Sequence, residues 1–168
     1  MWSETVAKYA DMLQYGPAVL RLAVGAVFVA HGSQKLFGVW GGAGPEGTAA
    51  FFGQIGLTPA YPLALATGVA ELIGGLMLII GAFTLVAAAT LVVEMAVDVW
   101  KVHYVNGFFI NWGMVPDRGH GYEFNLVLAA ALVALMLTGA GAFSIDRRRA
   151  RSAEAEAAGR ARLRAGKV

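Results

Sequence analysis

The sequence predicts an all-α membrane protein: a four-transmembrane-helix bundle preceded by an N-terminal amphipathic interfacial helix. Two observations carry this expectation. Hydrophobic residues make up 58% of the 168 residues and charged residues only 14%, and the mean hydropathy is +0.61. A soluble domain carries about 25% charged residues and needs them to cover its surface. The apolar residues also gather into runs long enough to cross a bilayer, which takes about 20 residues per helix. The same composition excludes intrinsic disorder. The chain has no cysteine, which excludes a disulfide framework, a Cys-ligated zinc or iron–sulfur site, and thiol catalysis by this chain.

Residues 1–16 form the first segment. Trp2, Val6, Tyr9 and Leu13 recur there on a helical period, as in a helix lying in the membrane interface. The segment lacks the basic region, apolar run and small-residue cleavage site of a signal peptide, so the first span is expected to act as an uncleaved insertion signal. That span runs from Pro17 to Phe37, and proline is tolerated in a first helical turn. A long loop follows from Gly38 to Ala60. Its cluster Gly41-Gly42-Ala43-Gly44-Pro45 has no following Gly-Lys-Ser/Thr and reads as a turn, not a phosphate loop. Thr48 to Ile55 is expected to be a short helix packing Phe51, Phe52 and Ile55 against the bundle or the interface. Tyr61 to Trp100 is too long for one span and suits two, separated by a turn at Gly81–Thr84. The loop Val102–Gly121, with Asn106, Asn111, Trp112, Asp117, Arg118 and His120, exceeds a minimal connection and suggests a lid or partner surface. The last span runs from Tyr122 to Phe143. Residues 17–146 are thus the membrane domain and 147–168 a basic tail.

The charge is unevenly spread. The tail holds eight Lys and Arg against two Glu, a net +6, whereas residues 1–146 hold five basic and nine acidic side chains, a net −4; together they give the +2 of the whole chain. Basic residues just beyond a span mark the cytoplasmic side. With four spans both termini are then cytoplasmic, and the expected location is the bacterial cytoplasmic (inner) membrane. Nucleic acid is not an expected partner, because the positive charge is confined to a membrane-flanking tail.

Ionisable side chains at membrane depth are costly and face the bundle interior, so they are the informative residues. Arg21, Phe28, His31 and Lys35 fall near one face of the first span. Glu71 lies mid-span in the second, flanked by Gly68, Gly74 and Gly75, which allow close helix approach. Glu94, Asp98 and Lys101 share a face of the third, with His103 at its outer end. Glu123 and Asn125 open the fourth, where the helix dipole alone favours a carboxylate. Counting depth from the span starts gives two layers. The deeper is an Arg21–Glu71–Glu94 group, either a packing ion pair or a proton-handling site. One arginine cannot neutralise two carboxylates, so a shared proton is expected there. The outer layer holds His31, Lys35, Asp98, Lys101, His103 and Glu123, with His120 of the loop at its edge, either snorkelling helix ends or a ligand site formed by His31, Lys35, His103 and Glu123. His31 and His103, one per helix, do not make a metal or haem site.

These residues also carry a resemblance. Arg21-Leu22, Gly25, Phe28, His31-Gly32 and Lys35-Leu36, then Gly56-Leu57-Thr58-Pro59, Glu71, Gly74-Gly75 and Gly81, then Gly121-Tyr122-Glu123, Gly139, Gly141 and Ser144-Ile145-Asp146 resemble the DoxX family. The resemblance implies a four-helix integral membrane protein and a role as a subunit of a quinone- or sulfur-linked redox system. It implies Arg21, His31, Lys35, Glu71 and Glu123 as the polar positions, quinone as the ligand and other membrane subunits as partners. The alternatives are a non-catalytic anchor or accessory subunit and a small proton-coupled carrier. The missing cysteine argues against direct thiol or thiosulfate chemistry.

Overall fold

The computed structural model describes residues 12–165, and within them every regular element is helical. Most of the expected interfacial segment, Trp2, Val6 and Tyr9 included, lies outside the described residues. Helix α1 spans Tyr15–Phe37, α2 Gly44–Gln54, α3 Ala60–Ile80, α4 Thr84–Asp98, α5 Glu123–Thr138 and α6 Ile145–Ala165. Beyond Asp98, α4 widens into a π turn, Val99–His103, and closes with a 3₁₀ turn, Tyr104–Asn106.

Punctuation in the sequence explains the boundaries. Gly38 ends α1 in the left-handed region, with φ +65°, and returns its N–H to Gln34 O. Pro45 and Glu46 lie in the first turn of α2, where a missing N–H costs nothing and a carboxylate suits the dipole. Gly81, with φ +66°, closes α3 with hydrogen bonds back to Leu78 and Met77. The expected turn between the two middle helices is there, and so is the short helix after the glycine cluster.

Two helices, α1 and α3, are long and apolar enough to cross a membrane. The fourth apolar run forms a shorter helix than expected. It stops at Thr138 because Gly139 and Gly141, with φ +77° and +68°, turn the chain back across the bundle. There Ala142 N–H donates to Gln14 O at 2.7 Å.

Helices α1 and α3 form the tightest pair. A Cβ on Gly25 would lie 2.7 Å from Gly75 O, and one on Gly32 2.5 Å from Leu72 N, so backbones touch where the sequence places glycine. Helices α4 and α5 complete the bundle, and α2 lies across α1 and α3. The core is a dry layer of Leu78, Leu91, Leu132 and Leu135, all fully buried. Outward faces are apolar as well: Val19, Ile73, Val86, Val93, Val127 and Leu137 are each 48–82% exposed. So much exposed apolar surface on α1, α3, α4 and α5 is unlike a soluble monomer.

One end of the bundle, here the turn end, carries the Gly81–Phe83 turn. Arg21, 1% exposed, lies there. The expected Arg21–Glu71–Glu94 group does not form. Arg21 donates from Nε to Ala140 O at 2.6 Å, from Nη1 to Leu78 O and Ile79 O at 2.8 and 3.0 Å, and from Nη2 to Ala142 O at 2.8 Å. The physical reason is that the last carbonyls of α3 have no partner within their own helix, and a helix C-terminus favours a cation. A guanidinium, with five donors in a fixed fork, satisfies several at once.

Asp146 does the converse for α4. Its carboxylate accepts from the N–H groups of Phe83 and Thr84 at 2.9 and 2.8 Å, and its own N–H donates to Gly81 O at 2.9 Å. It therefore serves as the N-terminal cap of a helix some 60 residues earlier in the chain. Ser144 caps α6 by accepting the Arg147 N–H at 3.2 Å. From Arg148 to Leu163, α6 is exposed on all sides.

Candidate functional site

The opposite end, the cavity end, gathers the remaining buried charge. Lys35, on the last turn of α1, reaches between α3 and α4. Its Nζ lies 2.8 Å from Glu71 Oε1 and 3.4 Å from Glu94 Oε1, and the two glutamate side chains are 4% and 8% exposed. Lys35 is thus the cation that joins the two carboxylates, in the place expected of Arg21. Glu71 Oε2 and Glu94 Oε2 are buried without a hydrogen-bond partner among the described residues. One ammonium and two carboxyls, with two oxygens unsatisfied, form an unbalanced group away from water, where such imbalance is costly.

A cavity of about 580 Å³ opens over this group. Its apolar wall includes Phe28, Phe51, Phe52, Met95, Phe124 and Leu128. Helix α2 and the glycine turn before it form one side, so the long loop is part of the site. The polar lining includes His31, Lys35, Glu71, Asp98, His103 and Asn125. An apolar chamber with a few convergent polar groups is the usual form of a small-molecule site.

The α4–α5 loop builds the mouth. Asn111, 8% exposed, organises it: Nδ2 donates to Val115 O and Arg118 O at 2.9 and 2.7 Å, and Oδ1 accepts the Val115 N–H at 3.0 Å. Folded in this way, the loop returns His120 to the end of α4. His103 Nδ1 lies 2.8 Å from His120 O. A carbonyl only accepts, so His103 Nδ1 carries the hydrogen. The Asn111 N–H donates to His120 Nδ1 at 3.2 Å, which puts the hydrogen of a neutral His120 on Nε2.

Of the expected site residues, the structure brings His31, Lys35, Glu71 and His103 to the cavity, with Glu94 behind Lys35. Arg21 lies at the turn end. Glu123 does not line the cavity; it sits in the first turn of α5, where its N–H donates to Phe108 O at 2.9 Å. Sequence reasoning placed Asp98, Asn125 and His120 near the site without assigning them to it. The i, i+4 spacing of Glu94 and Asp98 was the signal for one. His120 had none, because its position depends on how a loop folds.

The DoxX family pattern matches residues 16–104, more than half of the chain. The chain is 29% identical over 126 residues to a Bacillus subtilis protein named "Putative oxidoreductase CatD", covering 75% of this chain and 81% of that protein. It is 34% identical over 93 residues to an uncharacterised protein of Haemophilus influenzae, covering 53% of this chain and 60% of that protein. No solved structure matches the chain. The matched region holds α1 to α4 with the glycine contacts of α1 and α3, Lys35, Glu71 and Glu94, and on that match this chain belongs to the DoxX family.

Proposed function

We propose that this protein is a four-span subunit of a membrane-bound redox system and that its cavity binds a quinone-type ring. The observation that supports this most is the cavity itself: an aromatic-walled chamber of about 580 Å³ ending on a Lys35–Glu71–Glu94 group with unsatisfied oxygens. His31, Lys35 and His103 would position the ring, and Glu71 and Glu94 would exchange protons with it. A relative named as an oxidoreductase supports the redox class only coarsely. The reading of α4 and α5 as further spans is supported by their exposed apolar faces, with Val86, Val93, Val127 and Leu137 59–82% exposed; α4 with its π turn covers residues 84–103, about 30 Å, and α5 is shorter, about 24 Å at 1.5 Å per residue. The basic α6 supports a reading with both termini in the cytoplasm and the cavity on the outer side of the bacterial inner membrane. The residues divide as 17–146, the membrane domain, and 147–168, the tail.

A second reading, an accessory subunit that anchors a larger complex, draws on the exposed aromatic residues of the cavity-end loop: Phe109 at 66% and Trp112 at 80%. Chemical identification of the molecules that copurify with the full chain in mild detergent separates the two. Bound quinone or quinol supports the first. A ligand-free chain in a stable complex with other subunits contradicts it.

A further inference from the structure

The free polar atoms of the cavity are not an even mixture of donors and acceptors. Two of the three ammonium hydrogens of Lys35 are directed at Glu71 and Glu94. The Nδ1 hydrogen of His103 is taken by His120 O, so a neutral His103 has only the lone pair of Nε2 to offer. Asn125, 7% exposed, turns Nδ2 towards Met95 Sδ at 3.7 Å, its one hydrogen bond among the described residues. That leaves Oδ1 and the second Nδ2 hydrogen free. Asp98 lines the cavity without a hydrogen bond or ion pair among the described residues, and Glu71, 3% exposed, keeps Oε2 unpartnered. Free donors along the cavity wall are fewer: the third Lys35 hydrogen, one Nδ2 hydrogen of Asn125 and one ring N–H of His31; at the mouth stand Lys101, with Nζ 4.2 Å from the centroid of the Trp100 ring, and His120 through Nε2.

We infer that the deep end of this cavity is built for a ligand that donates hydrogen bonds, a neutral aromatic ring bearing hydroxyl groups, and that it holds this reduced form in preference to the carbonyl-bearing form of the same ring. The inference rests on the quinone-type reading above and adds the form of the ligand to it. A carbonyl oxygen set against Glu71, Asp98 and Asn125 Oδ1 would face acceptors only and leave all of them unpaired. A hydroxyl supplies the missing hydrogen to one of them. Sites built to pair a hydroxyl reject analogues that lack it, because their buried polar groups are then left unsatisfied. The walls suit a ring, with Phe28, Phe51, Phe52 and Phe124 among them.

The test is calorimetric titration of the full detergent-solubilised chain, under anaerobic conditions, with a short-tailed benzoquinone and with its hydroquinone. The hydroquinone should bind about tenfold or more tightly, the effect of roughly one well-placed hydrogen bond. Asn125→Leu and, separately, Asp98→Asn should narrow that ratio without abolishing binding of the quinone. Equal affinities, or tighter binding of the quinone, overturn this inference and leave the quinone-type reading standing. Binding of neither form overturns both. An unchanged ratio in both variants, with both folded, overturns the assignment of the preference to these acceptors.

Discussion

The two ends of the bundle hold the same kinds of group in opposite states. At the turn end, one guanidinium and one carboxylate meet helix termini. Arg21 makes four hydrogen bonds to carbonyls, and Asp146 receives two N–H groups. The guanidinium itself is tightly packed: a Cβ on Gly81 would lie 2.6 Å from Arg21 Nη1. At the cavity end, one ammonium serves two carboxyls, two oxygens stay unpaired, and open space adjoins them. Saturated hydrogen bonding marks a structural device. Incomplete hydrogen bonding beside a chamber marks a place where something else completes it. Burial alone does not separate the two, since Arg21 and Glu71 are buried to a similar degree.

The contrast can be broken by substitution, and the largest effect belongs at the turn end. Arg21→Met strands several buried carbonyls and should cost roughly 3 kcal/mol or more of stability, read as lost thermal midpoint in detergent. Its effect should add to that of Glu71→Gln within about 0.5 kcal/mol, because the two share no partner. Strong coupling between them would restore the Arg–Glu group that the hydrogen bonds rule out.

Lys35→Met comes next. It leaves Glu71 and Glu94 without their cation and should cost about 2–3 kcal/mol. Adding Glu71→Gln should recover part of that loss, a coupling of about 1 kcal/mol or more. Strict additivity would mean that Lys35 does not hold the two carboxylates.

The smallest effect is that of Asp146→Asn, about 1 kcal/mol: the amide keeps one accepting oxygen, so one of the two N–H groups loses its acceptor and the charge is lost. Partial burial pushes the Asp146 carboxyl up, but the N–H groups of Thr84 and Phe83 and the nearby Arg149 outweigh it and hold the group below its ordinary value. A carboxyl lowered by folding stabilises the fold above its unfolded-state value, about 4. That contribution is lost as pH falls through the folded value. The gap in thermal midpoint between the wild type and Asp146→Asn should therefore hold steady from about pH 5 to 7 and close below about pH 4. A gap that widens on acidification would contradict the cap.

Much of the fold was legible in the sequence. Apolar runs located the helices, and Gly38 and Gly81 located two of their ends, whereas Gly139 stops α5 short of the expected Phe143. The pairing of charges was less so, for two physical reasons. Depth counted from each span start assumes that the helices begin level, yet Lys35, two residues from the end of α1, reaches Glu71 in the middle of α3. Charged groups were also matched only with charged partners, whereas Arg21 is held by backbone carbonyls at the end of α3 and in the turn after α5, which any sequence supplies. His120 was out of reach for a third reason: its place depends on the loop that Asn111 organises through three hydrogen bonds.

The central claim is that the cavity end binds a ligand while the turn end only holds the helices. His31 tests it most directly. It lines the cavity, is exposed and makes no hydrogen bond among the described residues, so its loss removes nothing the fold depends on. The measurement is the quinone or quinol retained per chain by His31→Gln and by the wild type, purified side by side in mild detergent, with thermal midpoints recorded for both. Retained ligand should fall about tenfold, the loss of roughly one hydrogen bond of ~1.4 kcal/mol, with midpoints within about 2 °C. Equal ligand in both proteins at equal stability would contradict the claim.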